Sequence, residues 1–370
     1  MLAEVDGNRT RLAGIACDNR FEGGGAHQVP GHLRCQPYPV IVANVTPMAA
    51  PVLFCTDTLW DQRGDEIVSI DPTIEVVRLL GREHVTPSDL ERITIAFFSP
   101  DAWPDRATNF MGTCVRVPNL EWLQSMSAGT DHSVYATLRS HGAVVTSAVG
   151  AAAPSIAQTV MTYLLALSRE LPKLAASQAA RQWSATTIRD LAGMRLGIVG
   201  LGAIGAEVAR LAAPFGMDVI GMRRTVRGDE TCETWETSRF NDLLRWADAI
   251  AVTAPLTNHT RGLFDAEAFA KMRPGAWFVN VGRGEIVNER GLTESLLDGH
   301  LGGAGLDVFA VEPLPVESDL WSMPNVIITP HNSGNTERTD RRIVEIFIEN
   351  FRRRTVGQPL LNVTTEELPG

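Results

Sequence analysis

The stretch RLGIVGLGAIG, from Arg195 to Gly205, decides the fold of this chain. Its first half, LGIV, is a short apolar run typical of a buried strand. The run leads directly into the pattern Gly200-x-Gly202-x-x-Gly205, and residues 206–216 then have the apolar spacing of an amphipathic helix. The sequence therefore predicts a strand, a tight turn and a helix.

Each glycine of this turn has its own physical reason to be there. Gly200 permits the tight turn, Gly202 lets a pyrophosphate approach the backbone, and Gly205 lets the helix pack closely against the strand. A helix N-terminus attracts an anion because its first N–H groups have no intrahelical partners. We expect a dinucleotide here, held by Gly200, Gly202, Ala203, Ile204 and Gly205. The alternative is a purely structural glycine turn.

Length and composition are those of a globular protein with room for two domains. The chain has 370 residues, of which 44% are hydrophobic and 21% are charged, and one domain usually takes about 100–200 residues. The formal net charge of -10 argues against a nucleic-acid partner, which requires a basic face. Proline and polar residues interrupt the longest apolar stretch, near 148–167, so no membrane span is expected.

The cysteines and the N-terminal residues indicate the compartment. The five cysteines are an odd number, widely scattered and without a CxxC pair, which favours a reducing compartment and no structural metal. The N-terminal residues MLAEVDGNRTR are partly acidic and lack the apolar segment of a secretory signal. We therefore expect a cytoplasmic protein.

Residues 1–47 differ in composition from the rest of the chain. They contain three consecutive glycines, four prolines and no sustained apolar period, which is typical of a disordered leader. Met48 precedes the first apolar run, which spans Pro51 to Cys55. We therefore expect Met48 to be the functional start and residues 1–47 to be dispensable.

From Met48 to about residue 152 the chain alternates short apolar runs with stretches of helical period. Residues 74–80 have the period of a helix, and strands are predicted within 51–55, 93–99, 120–123 and 143–148. This α/β pattern carries no glycine fingerprint of its own, so it predicts a domain other than the nucleotide-binding one.

Four more apolar runs follow the glycine turn: AIAVTAP (249–255), AWFVNVG (276–282), GAGLDVF (303–309) and NVIITPH (325–331). Continuous apolar strands covered by helices indicate a parallel, doubly wound sheet. A long apolar helix from Pro154 to Leu167 separates the two α/β units and indicates a domain crossing. The final helix, Glu337 to Phe351, most simply returns to the first domain.

Three of these runs lead into side chains with chemical capacity. Arg283 follows the second run, Glu312 comes after the third, and His331 ends the fourth. Ligands of a doubly wound sheet bind outside the carboxyl ends of its strands. Topology alone therefore brings an arginine, a glutamate and a histidine toward the glycine turn. A structural histidine at a strand end is the alternative for His331.

Three segments in this order resemble the D-isomer-specific 2-hydroxyacid dehydrogenase family, including its glyoxylate/hydroxypyruvate reductases: NVGRGEIVNE (280–289), GLDVFAVEPLP (305–315) and TPHNSG (329–334). The resemblance covers roughly residues 51–360. It implies two Rossmann-like α/β domains, with a dinucleotide-binding domain (153–332) inserted into a discontinuous substrate domain (48–152 and 333–370). It also implies NAD(P)-dependent oxidoreduction and a homodimer formed through the cofactor domains.

The resemblance also implies catalytic roles. It assigns Arg283 to the substrate carboxylate and carbonyl, His331 to the proton, and Glu312 to the partner of His331. The chemistry agrees, because an arginine fork pairs with a planar carboxylate and histidine is the natural acid/base near neutral pH. An adjacent carboxylate fixes the tautomer of the histidine and favours its protonated form. A solvated loop carboxylate is the alternative for Glu312.

The loop SMSAGTD (125–131) lies on the other side of the expected crevice. It resembles the family segment whose backbone amides bind the substrate carboxylate, so we expect substrate contacts from Ala128 and Gly129. A tight turn is the alternative. Asp131 is expected to cap the following helix, and His132 to lie on the surface.

Other contacts follow from the same resemblance. Pro255 lies on the loop expected beside the cofactor, and Asp307 resembles a residue near the nicotinamide carboxamide, with helix or loop capping as the alternative. Trp321 resembles an aromatic at the mouth of the substrate site. Core packing is the alternative for Trp321, as it is for Trp183.

The second strand after the glycine turn departs from the NAD pattern. An NAD-preferring protein carries Asp or Glu roughly 20 residues beyond the glycines. Here the strand ends in Arg223 and Arg224, and Asp218 lies at its beginning. Guanidinium groups pair with a 2′-phosphate, which a carboxylate repels. The sequence therefore predicts NADP(H) over NAD(H), with Arg223 as the main contact and Arg224 stacking or assisting. An exposed basic turn is the alternative.

The expected reaction interconverts a small 2-oxoacid, of the glyoxylate or hydroxypyruvate type, and its D-2-hydroxyacid. A phosphoglycerate dehydrogenase-like enzyme is one alternative, but a phosphorylated substrate would require a further basic cluster, and none is obvious in residues 51–150. A formate dehydrogenase-like enzyme is a second alternative, against which Glu312 argues. A non-catalytic dinucleotide-sensing protein is the third.

Overall fold

A computed structural model describes residues 50–81 and 83–364. Within these residues the chain forms twelve strands and eleven α-helices. The predictions of a disordered leader at 1–47 and of Met48 as functional start lie outside the described residues. The strands are β1 (Val52–Thr56), β2 (Glu75–Leu79), β3 (Ile95–Phe97), β4 (Trp122–Gln124), β5 (Val144–Thr146), β6 (Arg195–Val199), β7 (Asp218–Arg223), β8 (Glu233–Glu236), β9 (Ala249–Val252), β10 (Ala276–Asn280), β11 (Leu301–Leu306) and β12 (Val326–Ile328). The helices are α1 (Asp57–Ile70), α2 (Pro87–Arg92), α3 (Ala107–Arg116), α4 (Ser133–Ser140), α5 (Ala153–Ser168), α6 (Leu171–Ala179), α7 (Ala203–Ala212), α8 (Phe240–Trp246), α9 (Ala266–Lys271), α10 (Glu289–Leu297) and α11 (Glu337–Thr355).

Strands β1 to β5 form a parallel sheet in the order β2-β1-β3-β4-β5. Helices α1 and α11 contribute to the apolar layer on one face, and α3 and α4 to the layer on the other. The ring of Phe347 on α11 stacks on Phe97 of β3 with 4.2 Å between centroids. The last helix therefore returns to the first sheet, as the sequence predicts.

Residues 74–80 contain strand β2, so the helix predicted there is wrong. Strand β2 pairs in parallel with β1 from Glu75 to Leu79, and Val77 and Leu79 are buried while Arg78 between them is exposed. In so short a segment, the apolar residues fit the three-to-four-residue period of a helix and the two-residue period of a strand equally well. Pairing with β1, which is remote in the chain, decides between them. The helix of this region is α1, whose first turn is capped by the Thr56 hydroxyl accepting from Leu59 N–H.

Strands β6 to β12 form the second parallel sheet, in the order β12-β11-β10-β9-β6-β7-β8. Helices α5 and α7 cover one face, and α8, α9 and α10 cover the other. This arrangement confirms the doubly wound cofactor sheet and the continuous apolar runs that predict it. Strand β8 at the edge was not anticipated, because its residues Glu233–Glu236 are largely polar.

The two sheets and the returning helix confirm the expected fold class. The domain limits 48–152, 153–332 and 333–370 stay predictions. Among the described residues, no helix combines the length and hydropathy needed to cross a bilayer.

Candidate active site

The glycine turn joins β6 to α7 with almost no space for side chains. Gly200 has φ of +102°, and a Cβ there would lie 2.5 Å from Cα of Ala254. A Cβ on Gly205 would lie 2.6 Å from the carbonyl oxygen of Gly200. Helix α7 begins at Ala203, and Gly202 at its N-cap makes no side-chain capping hydrogen bond. The turn therefore offers backbone N–H groups to an anion, so it fits a pyrophosphate.

The other residues expected at the dinucleotide lie around this turn. Ala203 and Ile204 form the first turn of α7. Pro255 is exposed and follows Ala254, whose backbone packs against Gly200. The structure thus brings these expected contacts together at the carboxyl ends of β6 and β9.

The end of β7 carries a carboxylate that the sequence reasoning missed. Nη1 of Arg223 donates to Oε1 of Glu230 at 3.4 Å. The same carboxylate accepts N–H from Arg227 at 2.6 Å and from Gly228 at 2.7 Å. These backbone hydrogen bonds, that of Arg227 foremost, lower the pKa of Glu230. An ionised Glu230 therefore lies beside Arg223, while Arg224 is exposed to solvent.

His331 and Glu312 form a hydrogen-bonded pair. Nδ1 of His331 lies 2.7 Å from Oε2 of Glu312, and Oε1 of Glu312 accepts N–H from Phe309 at 3.0 Å. Because a carboxylate can only accept, the hydrogen of this pair sits on Nδ1. Nε2 of His331 is then the nitrogen that can serve a substrate, and the side chain is 49% exposed.

Asp307 fixes the loop that presents His331. Its side chain is 1% exposed and accepts N–H from Asn332 at 3.0 Å and from Ser333 at 3.2 Å, together with the hydroxyls of Thr329 and Ser333. Its carbonyl oxygen accepts N–H from His331 at 2.8 Å. Loop capping, the alternative weighed from the sequence, describes these contacts. A nicotinamide contact of Asp307 stays a prediction.

Arg283 meets the loop that follows β4. Its Nη1 donates to the carbonyl of Gly282 at 2.8 Å, and its Nε lies 3.7 Å from Oδ2 of Asp131. A Cβ on Gly129 would overlap Nη2 of Arg283, so the guanidinium lies directly against the backbone of this loop. Ala128, the neighbouring expected contact, is exposed. The loop and the arginine come from different sheets, so the geometry defines a crevice between them.

The expected cap of α4 is wrong. Asp131 does not cap this helix, which begins at Ser133. His132 is the N-cap, and its Nδ1 accepts N–H from Val134 at 3.2 Å. The helix starts two residues beyond Asp131, which leaves that carboxylate free to approach Arg283.

At Gly284, the loop that carries Arg283 packs directly against the loop that carries Glu312. A Cβ on Gly284 would overlap the carbonyl group of Phe309, whose N–H donates to Glu312. In the sequence, the glycine directly after Arg283 was the feature that could have indicated this close approach, because a residue without a side chain lets another backbone come near.

Neither exposed tryptophan packs in a core, so that alternative is wrong for both. Trp321 lies in a short 3₁₀ helix, Asp319–Ser322, is 54% exposed, and its Nε1 donates to the carbonyl of Pro315 at 3.0 Å. Trp183 is fully exposed. Contact of Trp321 with a substrate stays a prediction.

In the part of the chain that the structure describes, no group of three or more His, Cys, Asp or Glu side chains could hold a metal ion.

Comparison with known proteins identifies relatives of this fold and site. The family profile described as D-isomer specific 2-hydroxyacid dehydrogenase, NAD binding domain, matches residues 161–333. The chain is 37% identical over 246 residues to (S)-sulfolactate dehydrogenase of Chromohalobacter salexigens, covering 64% of this chain and 78% of that protein. It is 35% identical over 244 residues to glyoxylate/hydroxypyruvate reductase B of Escherichia fergusonii, covering 64% and 75%.

A solved structure supports the same relationship. The D-isomer specific 2-hydroxyacid dehydrogenase of Xanthobacter autotrophicus Py2, in complex with NADPH and MES, superposes with a TM-score of 0.71 at 31% identity. The match covers 86% of this chain and 98% of that chain. The chain therefore belongs to the D-isomer-specific 2-hydroxyacid dehydrogenase family. It is an oxidoreductase with an NAD(P)-binding domain of the Rossmann type.

Proposed function

We propose that this protein interconverts a small 2-oxoacid, of the glyoxylate or hydroxypyruvate type, and its D-2-hydroxyacid. The observation that carries the proposal is the hydrogen-bonded pair of Glu312 and His331. The close approach of Gly284 to Phe309 brings the loop of Arg283 against the loop that carries Glu312. This arrangement supplies the proton donor and the carboxylate-binding cation that the reduction of a 2-oxoacid requires. The glycine turn at α7 supplies the dinucleotide site.

Arg283 and Gly129 bind and orient the substrate in this proposal. The guanidinium pairs with the substrate carboxylate, and its contact with Gly129 lets backbone N–H groups of the loop share that carboxylate. Bound reduced nicotinamide supplies a hydride to the carbonyl carbon. Nε2 of His331 donates a proton to the carbonyl oxygen, while the Nδ1–H bond to Glu312 holds the ring in place and stabilises the imidazolium before transfer.

NADP(H) is the proposed preferred cofactor, with NAD(H) as the second choice. Arg223 ends β7 at the carboxyl edge of the sheet and Arg224 follows it, where two guanidiniums suit a 2′-phosphate. The Xanthobacter relative crystallised with NADPH supports this choice. Glu230 opposes it in part, but two backbone N–H groups already share its charge.

A homodimer formed through the cofactor domain completes the proposal. Helix α6 has no buried residue, and Leu171, Trp183 and Ile188 are exposed along this segment. Large exposed apolar side chains on one segment are typical of an interaction site. In a sedimentation experiment we expect a dimer, and we expect Trp183→Ser to weaken it. A monomer for the unmodified protein would contradict the dimer.

Cys55, Cys114 and Cys232 are free thiols, which supports the cytoplasmic location that we propose.

The test is NADPH oxidation, followed by its absorbance, with glyoxylate, hydroxypyruvate, pyruvate and phenylpyruvate, and repeated with NADH. We expect turnover on the order of 1 per second or faster, with NADPH favoured. Dinucleotide binding without turnover of any 2-oxoacid would refute the proposal and favour a dinucleotide-sensing protein.

A further inference from the structure

Two carboxylates hold an arginine at the carboxyl edge of the five-stranded sheet. Nη1 of Arg106 donates to Oδ1 of Asp57 at 2.5 Å, and Nη2 donates to Oδ2 of Asp101 at 2.5 Å. Nη2 also lies 3.2 Å from the hydroxyl of Thr58. The Arg106 side chain is only 15% exposed. Both Nη groups thus donate to protein acceptors.

This cluster lies on the edge of the sheet that faces the substrate crevice. Asp57 directly follows β1, and Asp101 lies in the turn after β3. Strands β1, β3 and β4 are neighbours in one parallel sheet, and adjacent strands are about 4.8 Å apart. The cluster therefore lies within about 10 Å of the end of β4, where the loop that contacts Arg283 begins. Hydroxyls of Thr56 and Ser99, 3.3 Å apart, join the ends of β1 and β3.

The charge of this edge opposes a second anionic group. Asp57 and Asp101 are two carboxylates against one guanidinium, so the cluster has one excess formal negative charge. The hydrogen bond from Arg106 foremost lowers the pKa of Asp57. Asp131 adds a carboxylate beside Arg283. A phosphate or sulfonate that approached this edge of the sheet would be repelled by the excess negative charge, because both Nη groups of Arg106 already donate to Asp57 and Asp101.

We propose that the site selects 2-oxoacids that carry one carboxylate and an uncharged side chain, and that the Asp57–Arg106–Asp101 cluster excludes substrates with a second anionic group. The inference rests on the proposed 2-oxoacid reductase function. It distinguishes this chain from its relative that is named a sulfolactate dehydrogenase, whose named substrate carries both a carboxylate and a sulfonate.

The unmodified protein provides the first test. With NADPH, we expect kcat/KM for hydroxypyruvate to exceed that for 3-phosphohydroxypyruvate, and kcat/KM for pyruvate to exceed that for 3-sulfopyruvate, each by at least about tenfold. A preference for either substrate with a second anionic group would overturn this inference and leave the reductase function standing. Absence of turnover with all four would overturn both.

A variant tests the cluster itself. Asp101→Asn keeps the shape of the side chain and removes the excess negative charge of the cluster, because Asp57 and Arg106 then balance each other. We expect it to raise the ratio of kcat/KM for 3-phosphohydroxypyruvate over hydroxypyruvate about tenfold, and Asp57→Asn to shift the ratio the same way. An unchanged ratio in both folded variants would overturn the role of the cluster.

The chain offers a matched control at the opposite edge of the same sheet. Arg92 is also held by two carboxylates, Glu75 at 2.5 Å and Asp89 at 3.1 Å. Glu75 begins β2, so this cluster lies at the amino edge, away from the crevice. We expect Asp89→Asn to leave the ratio unchanged. An equal shift in this control would show a general charge effect and overturn the assignment.

Discussion

Nδ1 of His331 lies 2.7 Å from Oε2 of Glu312, although the two residues come from the loops that follow different strands. Each partner also forms a hydrogen bond that involves the backbone. Glu312 accepts N–H from Phe309, and the N–H of His331 donates to the carbonyl of Asp307. The pair is therefore positioned before a substrate arrives, which is the condition for efficient proton transfer.

Removing the charge of Glu312 tests this positioning. An amide in Glu312→Gln cannot accept from both Phe309 N–H and His331 Nδ1–H, so the ring loses its orientation. We expect kcat/KM to fall about 10- to 100-fold, the worth of a hydrogen bond to a charged group, with dinucleotide affinity unchanged. Glu317→Gln, on the exposed part of the same loop, is the control and should behave as the unmodified protein. Full activity of Glu312→Gln would refute the role.

Gly129 is predicted to be required because of Arg283. An added Cβ would overlap Nη2 of Arg283, so Gly129→Ala displaces the guanidinium that we propose binds the substrate carboxylate. We expect kcat/KM for the 2-oxoacid to fall about 100-fold, mainly through KM, with the melting temperature nearly unchanged. The control is Gly112→Ala, because a Cβ on Gly112 meets nothing within 4 Å. An unchanged KM in Gly129→Ala would remove this loop from the substrate site.

Arg223 is predicted to carry the cofactor preference. Arg223→Gln removes the cation beside the expected 2′-phosphate, so kcat/KM with NADPH should fall about 10- to 100-fold relative to NADH. Arg210→Gln, at an exposed position of α7 where the side chain pairs with Glu207, is the control. Equal efficiency with both cofactors in the unmodified protein would contradict the preference.

Acid stability is predicted to depend on Asp248. Hydrogen bonds from Arg195 foremost lower the pKa of this carboxyl in the folded chain. A group with a lowered folded pKa stabilises the protein above its unfolded pKa, about 3.9, and loses that contribution as the pH falls through the folded value. Asp248→Asn should therefore be less stable than the unmodified protein above about pH 5, and this difference should shrink below about pH 4. Urea unfolding at several pH values measures it. A difference that is constant with pH would contradict the account.

The elements that the sequence predicts well are those with a local cause. The glycine turn is specified by steric conditions within a few residues, as Gly200 shows. Arg283, Glu312 and His331 follow buried strands, and parallel topology alone collects the ends of such strands at one edge. Their placement at the carboxyl edge of one sheet was therefore predictable from the sequence.

The features that escaped prediction depend on contacts remote in the chain. Strand β2 is decided by pairing with β1 rather than by its own spacing. Asp131 faces Arg283 because the two sheets meet at the crevice, and Glu230 reaches Arg223 because a loop folds back onto β7. The sequence around Asp101 is typical of a turn and does not indicate that its carboxylate accepts a hydrogen bond from Arg106. No local sequence pattern predicts these contacts between charged side chains.

The most direct test of the account is the turnover of His331→Asn with hydroxypyruvate and NADPH. Asparagine suits this position because His331 has φ of +49°, a conformation that asparagine tolerates better than alanine does. We expect a loss in kcat of about 10²- to 10⁴-fold, with the affinity for NADPH retained, as measured by the fluorescence of NADPH. Turnover close to that of the unmodified protein would contradict the assignment of His331 as the proton donor.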